Sequence, residues 1–237
     1  MAEAVELPMT IDSAPELVAI APEVWAVELH RQSGFHLRVR MTVVRRDGGL
    51  WLHSPIAIDE ALAGTLAELG EVRHIVAPNR FHHLFAGAAK RRYPAAALWA
   101  APGLRKKRPN LAFDRDLGED AFMGEGIEAT FIEGARPWSE HVFFHAESGT
   151  LVCTDLLFNI HEERHAPTRW LYRAIGSFGH FGTNRVWPLL ADDRAALSRS
   201  LERVLCWSVR RVVMAHGDPI ELDHPDRLRV ALAGLMR

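Results

Sequence analysis

The stretch EVRHIVAPNRFHHLFAGAAKRRYP, residues 71–94, carries the strongest structural signal in the chain. It begins with a short apolar run that ends at Pro78, which is typical of a buried strand. Two adjacent histidines, His82 and His83, follow, and an alanine-rich segment after them favours a helix. The pattern therefore predicts a strand, a loop with two imidazoles and a helix. This stretch alone leaves open whether the imidazoles bind a metal or only pack at the start of the helix.

The chain as a whole has the composition of a globular protein, with 237 residues, 48% of them hydrophobic, and a formal net charge of -2. This is enough apolar material for one large domain, and the near-neutral charge argues against a dedicated nucleic-acid-binding protein. No run of about 18 apolar residues predicts a membrane span, and the first residues lack the pattern of a signal peptide. Cys153 and Cys206 stand in apolar contexts and are expected to be buried free thiols. We therefore expect a cytoplasmic protein without a nucleic-acid or membrane partner.

Strand patterns dominate the first third of the chain. The segment HLRVRMTVVRRDGGLWLHSP, residues 36–55, alternates apolar and polar side chains on either side of the turn signal DGG at 47–49. This pattern predicts a β-hairpin whose first strand has one buried and one exposed face. The inward side chains are expected to be Leu37, Val39, Met41 and Val43, and the outward ones Arg38, Arg40, Thr42 and Val44.

Helical patterns and further strands follow the hairpin. Residues 57–70 have helical periodicity and a helix stop at Gly70, and residues 192–207 form the best amphipathic helix. Strands at first and mixed strand and helix units later are typical of one layered α/β domain. We expect this domain to span residues 1–237, with 1–18 irregular and the stretch 160–190 forming a lid-like insert.

Three predicted strands end in residues that can bind a metal. They are HIVAPNRFHH (74–83), TLVCTDLLFN (150–159) and RVVMAHGDP (211–219). Strand ends on one edge of an α/β fold converge, so these side chains are expected to meet, and imidazoles with a carboxylate suit zinc or iron. Each residue alone has a plainer interpretation as a cap, a turn residue or a packing residue. The metal-competent side chains are His82, His83, Asp155 and His216.

The order of these segments resembles the metallo-β-lactamase fold superfamily and, more narrowly, the DUF4336 family. The resemblance covers most of the chain from about residue 20 onward and implies an α+β (layered α/β) fold. Specifically, it implies a four-layer αββα sandwich in a single metallo-β-lactamase-like domain. The residues that carry it are RMTVVRRDGGLWLHSP (40–55), VRHIVAPNRFHHLFAG (72–87), EHVFFHAESGTLVCTDLLFN (140–159) and CWSVRRVVMAHGDPI (206–220).

The resemblance also implies which metal ligands remain. In the superfamily, the strand that matches HIVAP ends in His-x-His-x-Asp-His, and this chain has Pro78 and Arg80 at the first two of these positions. Both histidines of the first metal site are therefore absent. Asp155 matches the metal-bridging aspartate of the superfamily, and His216 matches its final histidine. The single site implied by the resemblance consists of His82, His83, Asp155 and His216.

Residues beside this site are assigned to the substrate. Arg80 stands where the superfamily has a metal-binding histidine, and a guanidinium does not share a cationic site comfortably. It is expected either to hold an anionic substrate group by a bidentate contact or to point to solvent. Trp138 is expected to line the pocket, whose walls would come from WSEH (138–141) and the 160–190 insert.

Two other motifs have competing interpretations. HEERH, residues 161–165, matches the zinc-protease signature, but Pro167 would end its helix early, so a surface or lid position is favoured. The basic cluster RKKR, residues 105–108, is interpreted as a solvated loop in preference to a phosphate-binding patch.

The function implied by the resemblance is that of a metal-dependent hydrolase with a single degenerate metal site. One divalent metal, zinc in preference to iron, would supply a bound water that attacks an ester, thioester or similar bond. Asp155 is the candidate catalytic residue, because it would ligate the metal or orient the water. The alternative is a catalytically inactive protein of the same fold that binds a small molecule or a partner. A small-molecule substrate is the expected partner, and a homodimer is left open.

Overall fold

Two β-sheets packed face to face form the centre of the protein in the computed structural model, which describes residues 16–33, 35–118 and 126–236. The first sheet has seven strands whose spatial order is the order of the chain, antiparallel from the first strand to the fourth and parallel from the fourth to the seventh. Its strands are β1 (Leu17–Ala21), β2 (Val24–Ser33), β3 (Phe35–Arg46), β4 (Gly49–His53), β5 (Glu71–Ala77), β6 (Ala97–Ala100) and β7 (Arg115–Asp116).

The second sheet has five strands in the order β14-β13-β10-β9-β8. Within it β10 and β13 are parallel, and the other neighbouring strands are antiparallel. A separate two-stranded ribbon joins β11 to β12. The bounds are β8 (Ile127–Phe131), β9 (His141–His145), β10 (Thr150–Val152), β11 (Phe158–Asn159), β12 (Phe181–Gly182), β13 (Arg211–Val213) and β14 (Ile220–Glu221).

Helices cover the outer faces of both sheets, and the longest of them has local sequence signals at its start. Asp193 accepts a hydrogen bond from the Ala196 amide at the beginning of α6, and Asp59 does the same for Leu62 at the start of α1. No helix in the described ranges is long and apolar enough to cross a membrane. The helices are α1 (Glu60–Leu69), α2 (Ala86–Arg92), α3 (Leu104–Lys107), α4 (Ala166–Ile175), α5 (Val186–Leu190), α6 (Arg194–Leu205) and α7 (Asp226–Leu232), followed by the 3-10 turn Ala233–Leu235.

Among the described residues, three of the four hydrophobic clusters lie between layers of the fold. One core joins the first sheet to α1, α2 and α3, and a second joins the other sheet to α5, α6 and α7. A third core lies between the two sheets, where Trp51 of β4 packs edge-on against Phe143 of β9. The layers therefore follow the order αββα, and the fold class predicted from the sequence is confirmed.

The predicted hairpin is present, but one face of its first strand was assigned wrongly. Met41 and Val43 face the helix layer as expected. Val44, predicted to face outward, is fully buried in the core between the sheets, and Arg40 is also buried, with Nη1 donating to the Met214 carbonyl. Alternation of apolar and polar residues usually marks a strand with one solvent-exposed face. β3 instead has the helix layer on one face and the second sheet on the other.

Three further sequence predictions concern the first 18 residues, the two cysteines and the HEERH motif. Residues 1–15 of the segment expected to be irregular lie outside the described residues, and positions 17 and 18 belong to β1. Cys153 is a buried free thiol as expected, but Cys206 is exposed because it follows the last turn of α6. The HEERH motif is not helical, since α4 begins only at Ala166.

His141 is fully buried between the sheets, and we expect it to make the protein less stable at acidic pH. Burial lowers the pKa of His141 to about 4, despite the hydrogen bond that its Nε2 donates to the Gly118 carbonyl. An unfolded histidine titrates near 6.5, so the unfolded chain binds more protons and stability falls as the pH drops from about 6.5 towards 4. At pH 5 the expected cost from this residue is about 2 kcal/mol.

Urea denaturation at pH 7.5 and pH 5.0 measures this cost. We expect His141→Gln to lose about 2 kcal/mol less than the wild type between the two pH values. The matched control is His180→Gln, since His180 is exposed and should leave the wild-type difference unchanged. Equal losses in the wild type and in His141→Gln would show that this group does not drive acid unfolding.

Candidate metal centre

Three loops that follow strands bring a carboxylate and two imidazoles together at one edge of the sandwich. His82 follows β5, Asp155 follows β10, and His216 follows β13. Because β10 and β13 are parallel neighbours, their carboxyl ends lie side by side. Gly217 is required after His216, since its φ is +92° and a Cβ there would lie 2.3 Å from the Asn159 carbonyl oxygen.

The ligand atoms of this triad have the spacing of a metal site. The Nε2 atoms of His82 and His216 are 3.2 Å apart, and they lie 3.5 and 3.4 Å from Asp155 Oδ1. A tetrahedral zinc ion with bonds of about 2.0–2.1 Å separates its ligand atoms by about 3.3–3.4 Å. The three residues therefore fit a single tetrahedral metal ion. In the described parts of the chain they form the group of three or more His, Cys, Asp or Glu side chains whose ligand atoms all lie within 4.8 Å of one another.

Hydrogen bonds on the far side of each ring direct Nε2 into the cluster. His216 Nδ1 donates to the Arg38 carbonyl oxygen at 2.8 Å, so the neutral ring carries its lone pair on Nε2. Nδ1 of His82 lies 2.7 Å from Ser54 Oγ. Such outer contacts fix the orientation of metal-ligating histidines.

Asn79 orients both the carboxylate and the histidine loop. Its side-chain amide donates to Asp155 Oδ2 at 2.6 Å and to Thr154 Oγ1 at 2.9 Å. Its carbonyl oxygen accepts from the amides of Phe81 and His82 at 2.8 and 2.7 Å. Asn79 therefore has two roles, because it fixes the turn after Pro78 and also leaves Oδ1 of the aspartate facing the triad.

A buried acid beneath the site was not predicted from the sequence. Glu140 is fully buried, and its two carboxylate oxygens accept from the backbone amides of Thr154 and Asp155 at 2.6 and 3.0 Å. Trp187 fixes the same loop by donating to the Asp155 carbonyl at 2.6 Å. Burial and the nearby Asp155 charge raise the pKa of Glu140. A glutamate just before an apolar strand carries no sequence signal for this role.

The pKa values of Asp155 and His216 are shifted by the charges and hydrogen bonds within the triad. Burial alone would raise the pKa of Asp155, but the positive charges and hydrogen bonds of His82 and His216 hold it well below its usual range. Burial likewise lowers the pKa of His216, yet its hydrogen bond to Asp155 and the Asp155 charge outweigh burial and raise it. A divalent cation therefore competes with protons for these atoms, and its binding should release protons.

Solved structures resemble this one over nearly the whole chain. The DIM-1 metallo-β-lactamase matches with a TM-score of 0.66 and 15% identity, covering 94% of this chain and 98% of that one. The FIM-1 metallo-β-lactamase of Pseudomonas aeruginosa in its mono-zinc form matches with a TM-score of 0.62, 12% identity and complete coverage of both chains. The protein has the metallo-β-lactamase fold. The Flv1 flavodiiron core of Synechocystis sp. PCC6803 also matches, with a TM-score of 0.65, 13% identity, and coverage of 93% of this chain and 60% of that one.

Sequence comparison supports the narrower resemblance over part of the chain. The family model described as a domain of unknown function, DUF4336, matches residues 22–106. This range includes His82 and ends before Asp155 and His216. No curated protein matches the chain. The resemblance inferred from the sequence is therefore confirmed for the metallo-β-lactamase fold and, over residues 22–106, for the DUF4336 model.

His83 lies outside the triad, although the sequence predicted it as a fourth metal ligand. Its Nδ1 is 3.4 Å from Arg108 Nη1. Burial and the charges of Arg108 and Lys107 lower its pKa to about 4. The His82 ring contacts His216 whereas the His83 ring contacts Arg108, so these consecutive rings point in different directions. The structure thus brings together three of the four expected ligands.

The two residues expected to bind substrate have different positions. Trp138 lines the cavity beside the triad and stacks on Trp187, with ring centroids 5.0 Å apart. Arg80 does not line that cavity, and its Nη1 donates weakly to the Arg136 carbonyl at 3.4 Å. An anion contact from Arg80 to a substrate at the triad would therefore need its side chain to move.

The stretch 160–190 supports the site from behind and forms no wall of its cavity. None of its residues lines the cavity, contrary to expectation. The histidines of HEERH are used locally, since His161 Nε2 lies 2.9 Å from Asn159 Oδ1 and His165 stacks on His36 with centroids 3.8 Å apart. The cavity has a volume of about 660 Å³, and its lining consists of Leu37, Val39, Ser54, Pro55, Ile56, Phe81, His82, His83, Leu84, Phe85, Lys107, Arg108, Trp138, Asp155 and His216.

Proposed function

We propose that the protein is a hydrolase that uses one divalent metal held by His82, Asp155 and His216. The observation that carries this proposal is the spacing of 3.2–3.5 Å among the three ligand atoms on the wall of an open cavity. Three protein ligands with one position left for water or substrate are typical of catalytic zinc sites, whereas structural sites use four protein ligands. The metallo-β-lactamase fold supports the same proposal.

Zinc is the metal that we propose in preference to iron. Two histidines and one carboxylate suit both zinc and ferrous iron. An octahedral site with bonds of about 2.0–2.1 Å brings neighbouring ligand atoms to about 2.8–3.0 Å, whereas a tetrahedral site needs about 3.3–3.4 Å. The distances of 3.2, 3.5 and 3.4 Å lie nearer to the tetrahedral value.

The proposed substrate is an ester, a thioester or a similar bond. A metal bound at the triad would lower the pKa of a water ligand towards about 7 and polarise the carbonyl group. Asn79 holds the outer oxygen of Asp155, so that the inner oxygen stays directed at the triad. Trp138 and the apolar side chains around it line the cavity beside the triad, so the reacting groups would lie in a less polar environment than bulk water, which strengthens electrostatic interactions.

Hydrolysis assays on the full-length protein test the proposal. Zinc-reconstituted protein is offered p-nitrophenyl esters and acyl thioesters, before and after removal of the metal with a chelator. We expect kcat/KM to fall by about 10³-fold or more on chelation and to recover when zinc is added back. Turnover that is insensitive to the chelator would contradict the proposal, and so would the absence of turnover by fully zinc-loaded protein across both classes of substrate.

A second candidate is a protein of this fold that binds a small molecule without hydrolysing it. The observation that favours it is the residue pair Pro78 and Arg80, which stand where the superfamily pattern has the two histidines of a first metal site. Ligand binding by zinc-loaded protein that turns over none of the esters and thioesters would support this candidate.

We also propose that the protein acts on small molecules in the cytoplasm. Cys153 and Cys206 are both unpaired, which suits a reducing compartment. The formal net charge of -2 offers little attraction to nucleic acid or to anionic membranes. Fractionation of cells, with the protein detected in each fraction, would test the location.

A further inference from the structure

The cavity beside the triad has a cationic wall that makes no ion pair with a carboxylate in the described part of the chain. Lys107 and Arg108 both line it, at the end of α3 and directly after it. Among the described residues, neither takes part in an ion pair. Their neighbour Arg105, by contrast, is paired with Asp116 at 2.7 Å. Two of the four charges in RKKR therefore line the cavity without an ion-pair partner among the residues that the structure describes, which the interpretation as a solvated loop did not predict.

Neutral groups hold these two cations in place. Lys107 Nζ donates to the Arg80 carbonyl oxygen at 2.6 Å and lies 4.9 Å from the centroid of the Phe81 ring. The Arg108 guanidinium lies beside the His83 ring, with Nη1 3.4 Å from His83 Nδ1. Burial and the charges of Arg80 and Arg108 also lower the pKa of Lys107, so the cations repel one another. An oxyanion bound between them would relieve this repulsion.

The rest of the cavity fits an apolar ligand of modest size. Its volume of about 660 Å³ is in the range of small-molecule sites. Among the described residues that line the cavity, Lys107 and Arg108 are the cations, and the carboxylate is that of Asp155 at the triad. An anionic group is therefore favoured at Lys107 and Arg108. The apolar side chains that remain for the body of the ligand are Leu37, Val39, Pro55, Ile56, Leu84 and Phe85.

We infer that the cavity binds amphipathic oxyanions, with a carboxylate or phosphate group held by Lys107 and Arg108 and an apolar chain packed along the wall. This inference names the substrate class of the proposed hydrolase and rests on that proposal only in placing the bond to be cleaved at the triad. Anion binding itself requires no metal.

Calorimetric titration of the full-length protein with octanoate, octyl phosphate and octanol tests the inference. We expect both anions to bind at least about 10-fold more tightly than octanol, because charge-assisted contacts are stronger than neutral ones. Lys107→Gln and Arg108→Gln should each weaken anion binding by about 3- to 10-fold and leave octanol binding unchanged. Lys106→Gln is the matched control, because Lys106 is exposed on the same helix and does not line the cavity.

Repeating the titrations after dialysis against a chelator separates this inference from the proposed function. Anion binding that persists without metal and depends on Lys107 and Arg108 supports the inference, even if the protein never takes up zinc or cleaves an ester. Equal affinity for octanol and octanoate would overturn it, as would an identical response of the Lys106→Gln and Lys107→Gln variants. The ratio of octanoate to octyl phosphate affinity identifies which oxyanion the site prefers.

Discussion

Replacing Asp155 by asparagine is expected to reduce bound zinc from about one ion per chain to below about 0.1 after dialysis. The substitution preserves the volume of the side chain and an oxygen that can accept from Asn79. It removes the negative charge that offsets a divalent cation in a buried site, and a neutral amide is a poor zinc ligand. Since changes to outer contacts alone cost about 10- to 100-fold in metal affinity, losing a direct ligand should cost more than about 100-fold.

Metal analysis of purified and zinc-reconstituted protein measures this effect, with thermal unfolding as a check that each variant is folded. His216→Gln should lose zinc in the same way as Asp155→Asn. His83→Ala should retain it, because His83 lies against Arg108 and not in the triad. A folded His83→Ala variant that loses zinc as completely as Asp155→Asn would contradict the three-ligand site and restore the set of four expected from the sequence.

Replacing Glu140 by alanine is expected to lower the free energy of unfolding by about 3 kcal/mol or more at pH 7.5. The change leaves the buried amides of Thr154 and Asp155 without their acceptors, at about 1–3 kcal/mol each, and it opens a cavity. Removing a buried, desolvated carboxyl returns part of this cost. The remainder is a large fraction of the total stability of a protein, which is usually about 5–15 kcal/mol.

Urea denaturation compares this variant with two others. Glu140→Gln keeps one carbonyl oxygen as an acceptor, so it should cost about half as much as the alanine variant and gives a measurement if the latter does not fold. Glu71→Ala removes an exposed carboxylate and should change stability by less than about 0.5 kcal/mol. A folded Glu140→Ala variant within about 1 kcal/mol of the wild type would show that water replaces the carboxylate beneath the site.

Local sequence signals predicted most of the helices and strands. The helix over 57–70 was predicted from its periodicity and from Gly70, whose amide donates to the Leu66 carbonyl at the end of α1. The burial of Val44 and Arg40 was not predicted, because alternation along one strand does not reveal that a second sheet covers the polar face. That information depends on β9 and β10, which lie about a hundred residues further along the chain.

The candidate site was only partly predictable, for a related reason. His82, Asp155 and His216 each follow a strand, so their convergence follows from topology. The direction of His83 depends on the turn that Asn79 imposes, and the second partner of Asn79 is 76 residues away. No local pattern encodes such a contact.

The position of the stretch 160–190 has a consequence for the kinetics of ligand exchange. This stretch holds the Asp155 loop through Trp187 and leaves the cavity mouth uncovered. Enzymes closed by a lid often have turnover limited by lid opening, because products leave only on the timescale of that motion. Because residues 160–190 impose no such gate, we expect ligand entry and departure to depend on diffusion, on electrostatic steering towards the cationic wall and on the strength of the contacts in the cavity.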